Sequence, residues 1–404
     1  MTPADRTIVA APRPLRILIA QTTYLGDLLL TLPLVLRLRE QFPESTIAML
    51  VRADLAPVAR ACPAVNHVHV MAKETGHPTV HGLRALAREL RNASYDLVIT
   101  MPGSMRTAAL MVLARIPHRI GWDPGDHLSA EVKAVRFPHA MRQVRDVRRL
   151  LAFEAFYRWS APVRALLPAL FTHELQPHRD VHRAAAALDA LDAFGCAPST
   201  VPPAPWLVLP PDAGLEVDAL LPGLAAGWVV IATGATQPTR RWPVEHMVEV
   251  VRLLARAGHA VVIIGTEQER ENGQRILAEA GAERIHLVAG RASLAATCEI
   301  VRRAGAVVAN DSAPVHIASA MGTPVIALFG PTLPSFGFGP LSEHSAVIER
   351  SGLACRPCTV YGSATCPIGT HECLHTIAPQ EVLNAVLAIL GQHGAVAQQK
   401  GGTP

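Results

Sequence analysis

Residues 16–38 decide the fold: the apolar strand Arg16-Ile17-Leu18-Ile19-Ala20, a short loop ending in Thr22-Thr23-Tyr24-Leu25-Gly26-Asp27, and the run Leu28-Leu29-Leu30-Thr31-Leu32-Pro33-Leu34-Val35-Leu36-Arg37-Leu38. Five consecutive residues of this kind predict a strand covered on both faces. The run that follows is apolar almost all round, which predicts a buried helix starting near Gly26-Asp27. Pro33 falls in its second turn, where it tightens or bends the helix start. Outward from this unit, strands are predicted over 46–51, 65–70 and 95–100, with a helix over 83–90. A fifth strand ends at Arg119-Ile120-Gly121. Such alternation predicts an α/β domain with a right-handed, doubly wound parallel sheet.

The second half has the same grammar without visible sequence identity. Residues 228–232 read as a strand ending in Thr233-Gly234-Ala235. Trp242-Pro243 opens a helix whose apolar positions are Val244, Met247, Val248, Val251, Leu254 and Ala255, closed by Gly258. Strands are expected over 260–264, 306–309 and 324–329, and helices over 294–303 and 313–321. A last helix over 381–390 is expected to pack back onto the first domain. Residues 136–194 read as mostly helical, and the proline-rich stretch 198–211 as a connector. The expected organisation is an N-terminal extension (1–14), a first domain (15–205), a linker (206–225), a second domain (226–392) and a flexible tail (393–404).

At 404 residues the chain is long enough for two cores. A net charge of +4 suits an acidic small molecule or an anionic surface and falls short of a nucleic-acid signature. The first fourteen residues hold Asp5, Arg6, Arg13 and three prolines, with no apolar core of a signal peptide. The longest weakly polar stretch, near 223–235, is far short of the roughly 20 residues that cross a bilayer. A cytoplasmic protein is expected.

In open α/β sheets, ligands bind beyond the carboxyl ends of strands, where helix N-termini present unpaired N–H groups. Three loops are therefore candidates. The first carries Gly26 and Asp27, the latter either a reactive carboxylate or only a helix cap; no G-x-G-x-x-G follows this strand, against a dinucleotide oxidoreductase. The second carries Thr233, Gly234, Ala235 and Thr236, then Arg240-Arg241-Trp242-Pro243, small residues that admit a phosphate beside a cation. The third is Asn310-Asp311-Ser312-Ala313-Pro314-Val315-His316, in which Asp311 or Ser312 can cap the helix and Pro314 suits its first turn. Gly330-Pro331-Thr332 follows the next strand.

Taken together, Gly-Asp after the first strand, Arg-Trp-Pro opening a helix, Asn-Asp-Ser-x-x-x-His and Phe-Gly-Pro-Thr resemble family 9 glycosyltransferases, the ADP-heptose:lipopolysaccharide heptosyltransferases. The resemblance runs from about residue 15 to 390. It implies a GT-B fold: two facing Rossmann-like domains, the acceptor held by the first and the donor by the second. It also implies inverting, metal-independent transfer of heptose from ADP-heptose to the lipopolysaccharide inner core, with no cofactor required for catalysis. Asp27 matches the general base. Arg240 matches a position that is usually Lys, contacting the donor phosphates; Arg keeps the charge without the compact ammonium. Glu267 matches a carboxylate contacting the nucleoside, and Asp311, Ser312 and His316 match the pyrophosphate and sugar loop. Thr233, Gly234 and Gly330 complete the expected donor-binding set. Ala313-Pro314 departs from the commoner Gly-Leu, a change at the sugar pocket.

Cys355, Cys358, Cys366 and Cys373 give C-x2-C-x7-C-x6-C, with His371 and His375 as spare ligands. Four thiolates can close a tetrahedral site, so a structural zinc or iron is expected, against reduced unligated thiols or a redox pair. The cluster is similar to the metal finger of a related branch that heptosylates autotransporter proteins. Arg136, His139, Arg142, Arg145, Arg148 and Arg149 form a basic stretch. Arg142 and Arg145 are candidate contacts to phosphorylated acceptor head groups at the inner membrane, against a merely solvated helix face. The rival functions are transfer to an autotransporter protein or another sugar acceptor, a sugar-nucleotide epimerase, and a non-catalytic sugar-nucleotide-binding protein.

Overall fold

The computed structural model describes residues 14–71, 80–101, 105–122, 170–175, 181–196 and 199–400. The described residues up to Val208 form one compact unit and those from Leu209 onward a second.

Six strands of the first unit, β1 (Arg16–Ala20), β2 (Thr46–Arg52), β3 (His67–Met71), β4 (Leu97–Thr100), β5 (His118–Trp122) and β6 (His173–Leu175), form one sheet in the order β3-β2-β1-β4-β5-β6. Every pairing is parallel, with Ile17 opposite both Ile47 and Leu97. The helix Leu25–Gln41 follows β1 and buries Leu28, Leu29, Leu30, Leu32, Leu34, Val35 and Leu38. Pro33 lies inside it, at the ninth residue, and the helix continues unbroken to Gln41. An interior proline costs about 3 kcal/mol. Full burial of each flanking leucine contributes roughly 1.5–3 kcal/mol, so packing outweighs the missing hydrogen bond.

The second unit repeats this plan with β7 (Val229–Ala232), β8 (Val261–Ile264), β9 (Ile285–Leu287), β10 (Ala306–Asn310), β11 (Val325–Phe329) and β12 (Ser345–Glu349). Their order, β12-β11-β10-β7-β8-β9, is again all parallel. Renumbered from one within the unit, it is the same 3-2-1-4-5-6 order as the first sheet, the doubly wound arrangement of dinucleotide-binding domains. The strands missed by sequence, β6, β9 and β12, all lie toward sheet edges and are short or half-exposed, so they lack an apolar run.

Two helices of the second unit bear on the expected domain organisation. The final helix spans Pro379–Lys400 and belongs to the second unit's own core, where Val382, Leu383, Val386 and Ile389 pack with Trp242, Val251 and Leu328. Within the stretch expected as linker, Pro211–Leu220 is a helix against the helix Leu294–Arg302. Among the described residues, no helix is long and apolar enough to cross a membrane.

Candidate functional site

In each sheet the strand order reverses direction beside the first strand, between β1 and β4 and between β7 and β10. These switch points are where open α/β sheets leave a crevice for ligands. The loops carrying the sequence motifs stand at both.

In the first unit, Asp27 occupies the first turn of the helix Leu25–Gln41 and is partly exposed. Its Oδ2 accepts from the Thr23 hydroxyl at 2.6 Å and, more weakly, from Tyr24 N at 3.4 Å. Buried Gln21 braces the same turn, its amide reaching Thr31 Oγ1 at 3.1 Å and its carbonyl standing 2.7 Å from Thr23 Oγ1. Asp27 therefore does bond the helix entrance, but all of these contacts fall on one carboxylate oxygen. Tyr24 stands beside it, largely exposed.

In the second unit the site is built around Asn310, which is fully buried at the end of β10. Its Oδ1 accepts from Trp242 N at 2.9 Å, and its amide donates to the carbonyls of Thr233 (3.3 Å) and Gly234 (3.2 Å). One side chain thus fixes the loop after β7, the entrance of the helix Val244–Arg256 and the loop after β10 relative to one another. Sequence reasoning quoted Asn310 within a motif and gave it no role.

Asp311, also buried, accepts from Thr332 Oγ1 at 2.6 Å and stands 3.6 Å from Arg240 Nε. Burial pushes its carboxyl pKa up, while the Arg240 charge and the Thr332 hydroxyl pull it down. Ser312 turns its hydroxyl back to Asn310 O at 3.1 Å. Neither residue caps the helix Ala313–Met321, contrary to expectation, so its first N–H groups receive no side-chain cap. His316 is buried on that helix, its ring 6.4 Å from Phe338. Two buried polar atoms here, Thr233 Oγ1 and Arg240 Nε, have no hydrogen-bond partner among the described residues. Native interiors leave few such atoms, and those that remain call for an explanation such as an absent ligand or water.

Gly234 and Gly330 also make close approaches within the protein. A Cβ on Gly234 would lie 1.6 Å from Glu269 Oε1, and one on Gly330 would lie 2.6 Å from Leu374 Cγ. Both positions make room for the protein's own side chains. Glu269, whose other oxygen accepts from Thr266 N at 2.8 Å, is therefore the carboxylate against the loop after β7, two residues beyond Glu267. Glu267 itself is mostly exposed, 3.4 Å from Arg270. The sequence Glu267-Gln268-Glu269 offered both carboxylates, and only packing separates them.

A metal at the four cysteines is not supported by their spacing. Among the described residues, the metal-ligating side chains that gather in threes within 4.8 Å are His67, His69 and Glu89; Cys355, Cys358, Cys366 and Cys373 do not meet that spacing, yet they lie near enough for their thiols to act on one another electrostatically. Cys358 Sγ is turned onto Cys355 O at 2.9 Å, and Cys373 is buried in the hydrophobic core beside Leu374. Burial, and after it the neighbouring Cys355, Cys373 and Cys366, push the Cys358 thiol up to about 12. The His67 group has its own use. His69 is bonded through Nδ1 to Glu89 (2.5 Å) and through Nε2 to Tyr95 (2.7 Å), stapling β3 to the helix Val80–Asn92. Arg142 and Arg145 lie outside the described residues.

Comparison with known proteins adds three findings. Residues 83–368 match the sequence profile of glycosyltransferase family 9 (heptosyltransferase). Lipopolysaccharide heptosyltransferase 2 of Salmonella typhimurium is 26% identical over 386 residues, covering 94% of this chain and 100% of that protein. Among solved structures, E. coli ADP-heptose lps heptosyltransferase II superposes with a TM-score of 0.72 at 23% identity, covering 94% of this chain and 99% of that one. An E. coli heptosyltransferase with ADP superposes at 0.65 and 19% identity, over 93% of this chain and 99% of its own. These likenesses establish the fold as two parallel-sheet units of the GT-B class.

Proposed function

The chain belongs to glycosyltransferase family 9, and from that premise we propose that it moves heptose, with inversion, from ADP-heptose to the lipopolysaccharide inner core. Asp27 is the general base: it takes the proton of the acceptor hydroxyl as that oxygen attacks the anomeric carbon. The bond from that carbon to the ADP oxygen breaks as the new glycosidic bond forms, and ADP leaves with the electron pair. The charge developing on ADP falls to Arg240 and to the N–H groups at the start of the helix Ala313–Met321. Asp311 holds Arg240 in place and Thr332 holds Asp311. Thr233 and Gly234 line the same switch point, Glu267 reaches for the nucleoside, and His316 lies along the pyrophosphate and sugar loop. The reaction needs no cofactor in this reading.

The observation that carries the proposal is the second-unit site itself. A paired guanidinium, a buried hydroxyl lacking a partner and an uncapped helix N-terminus meet where an open sheet leaves its crevice. All three are what a pyrophosphate needs. The relative that matches over nearly the whole chain is a lipopolysaccharide heptosyltransferase, which favours the lipid-linked sugar over a polypeptide acceptor. Donor supply then places the enzyme in the cytoplasm, with the basic segment bearing Arg142 and Arg145 as the proposed contact with the inner membrane.

The test is incubation with ADP-heptose and lipopolysaccharide core acceptors, with product mass measured. Asp27→Ala is expected to lower transfer by about 10²–10⁴-fold while leaving ADP affinity intact, because a base acts only as the proton moves. Near-normal turnover by that variant would remove Asp27 from the chemistry. Unchanged ADP affinity in Arg240→Ala would remove the phosphate role.

A further inference from the structure

The segment that starts at Cys355 reaches two loops of the second unit's site. Arg356, between Cys355 and Cys358, has a side chain only 3% exposed, and it spends its guanidinium largely on backbone. Its Nε donates to Gly330 O at 2.5 Å, one terminal nitrogen donates to Thr332 O at 2.8 Å and the other to Arg350 O at 3.1 Å, with Glu349 as the counter-charge at 2.5 Å. Cys358 N donates to Pro331 O at 3.0 Å. All three consecutive carbonyls of the loop after β11 are therefore held by one short segment.

The same segment continues to the opposite side of the site. Ser363 O accepts from the Thr239 hydroxyl at 2.8 Å, and Ser363 N donates back to that hydroxyl at 2.8 Å. Arg240 donates to Tyr361 O at 3.4 Å. Gly362, at φ +79°, lies so close over Arg240 that a Cβ there would be 2.8 Å from its Cδ. One end of the segment thus fixes the loop that presents Thr332 to Asp311, and the other end fixes the turn that carries Arg240.

We propose that residues 355–363 are a clasp that sets the Arg240–Asp311 pair for the donor pyrophosphate, with Arg356 as its positioning residue. The inference rests on the donor-site reading above and extends it to residues that touch no substrate. A planar fork is needed because three carbonyls in different directions must be met at once, which the single ammonium of lysine does not reproduce.

The test is calorimetric ADP binding and steady-state transfer for Arg356→Lys, Arg356→Ala and Thr239→Val. Glu299→Gln, which breaks a buried ion pair elsewhere in the same unit, is the control for general destabilisation. Displacing the pair by a fraction of an ångström is expected to weaken ADP binding and raise the KM for ADP-heptose about tenfold or more, with a smaller change in kcat. Thr239→Val, which keeps volume and leaves Arg356 untouched, is expected to shift the same two quantities in the same direction. Glu299→Gln should lose stability without that shift. If the Arg356 and Thr239 variants bind ADP as the wild type does, the clasp is wrong and the donor site stands. Equal loss of ADP affinity in Glu299→Gln would make the effect merely structural and overturn the clasp. Absence of ADP binding by the wild type would overturn the donor reading and the clasp together.

Discussion

Asn310 uses both ends of its amide in the interior, one as acceptor for Trp242 N and the other as donor to two carbonyls. Asp has nearly the same shape and keeps the acceptor, yet it would set a charge against the Thr233 and Gly234 carbonyls in a fully buried place. Asn310→Asp is therefore expected to destabilise by at least as much as Asn310→Ala at neutral pH, each by about 1–3 kcal/mol or more for buried polar groups left unmatched. The deficit of the Asp variant should shrink in acid as its carboxyl gains a proton. Denaturant unfolding at several pH values checks this, and an Asp variant as stable as wild type would show that the amide hydrogens contribute little. The sequence shows an asparagine before Asp-Ser. It does not show which groups, 68 to 77 positions away, that asparagine joins.

Among elements, the helix Leu294–Arg302 shows how a charge is retained inside a sheet-covering layer. Ser293 caps it, accepting from Ala296 N at 3.1 Å, and Glu216 of the helix Pro211–Leu220 accepts from both Ser293 N and its hydroxyl. Glu299, 5% exposed, receives Arg302 on both oxygens at 2.6 Å and Arg303 at 2.6 Å. Hydrogen bonding to Arg302 is the leading cause that holds its carboxyl below the ordinary range, ahead of the opposing burial. A depressed folded-state pKa contributes stability that is present above the unfolded pKa and lost as pH falls through the folded one. Glu299→Gln is thus expected to cost about 1–3 kcal/mol near neutrality, with the gap to wild type closing in acid. A gap that is constant with pH would show that the pairing is not linked to folding.

For the molecule as a whole, both units use the same strand order, and the loops at their switch points carry different chemistry. The first carries Asp27 and the second the proposed anion cradle, so ADP alone should be felt in the second. Hydrogen exchange with ADP at 100 times its Kd is expected to slow amide opening by up to about a hundredfold. The effect should concentrate in residues 233–240, 310–316 and 330–332. Protection confined to the helix Leu25–Gln41 would contradict the donor assignment. By itself the sequence determined the two α/β units, the central strands and the order of the loop motifs, because apolar periodicity and strand–helix alternation are local properties of the chain. Tertiary structure alone decided what Gly234 and Gly330 make room for, that Cys358 turns to backbone and Cys373 to the core, and that Arg356 grips a loop 26 residues away. Those outcomes depend on which distant groups burial leaves in need of partners, and no spacing along the chain encodes that.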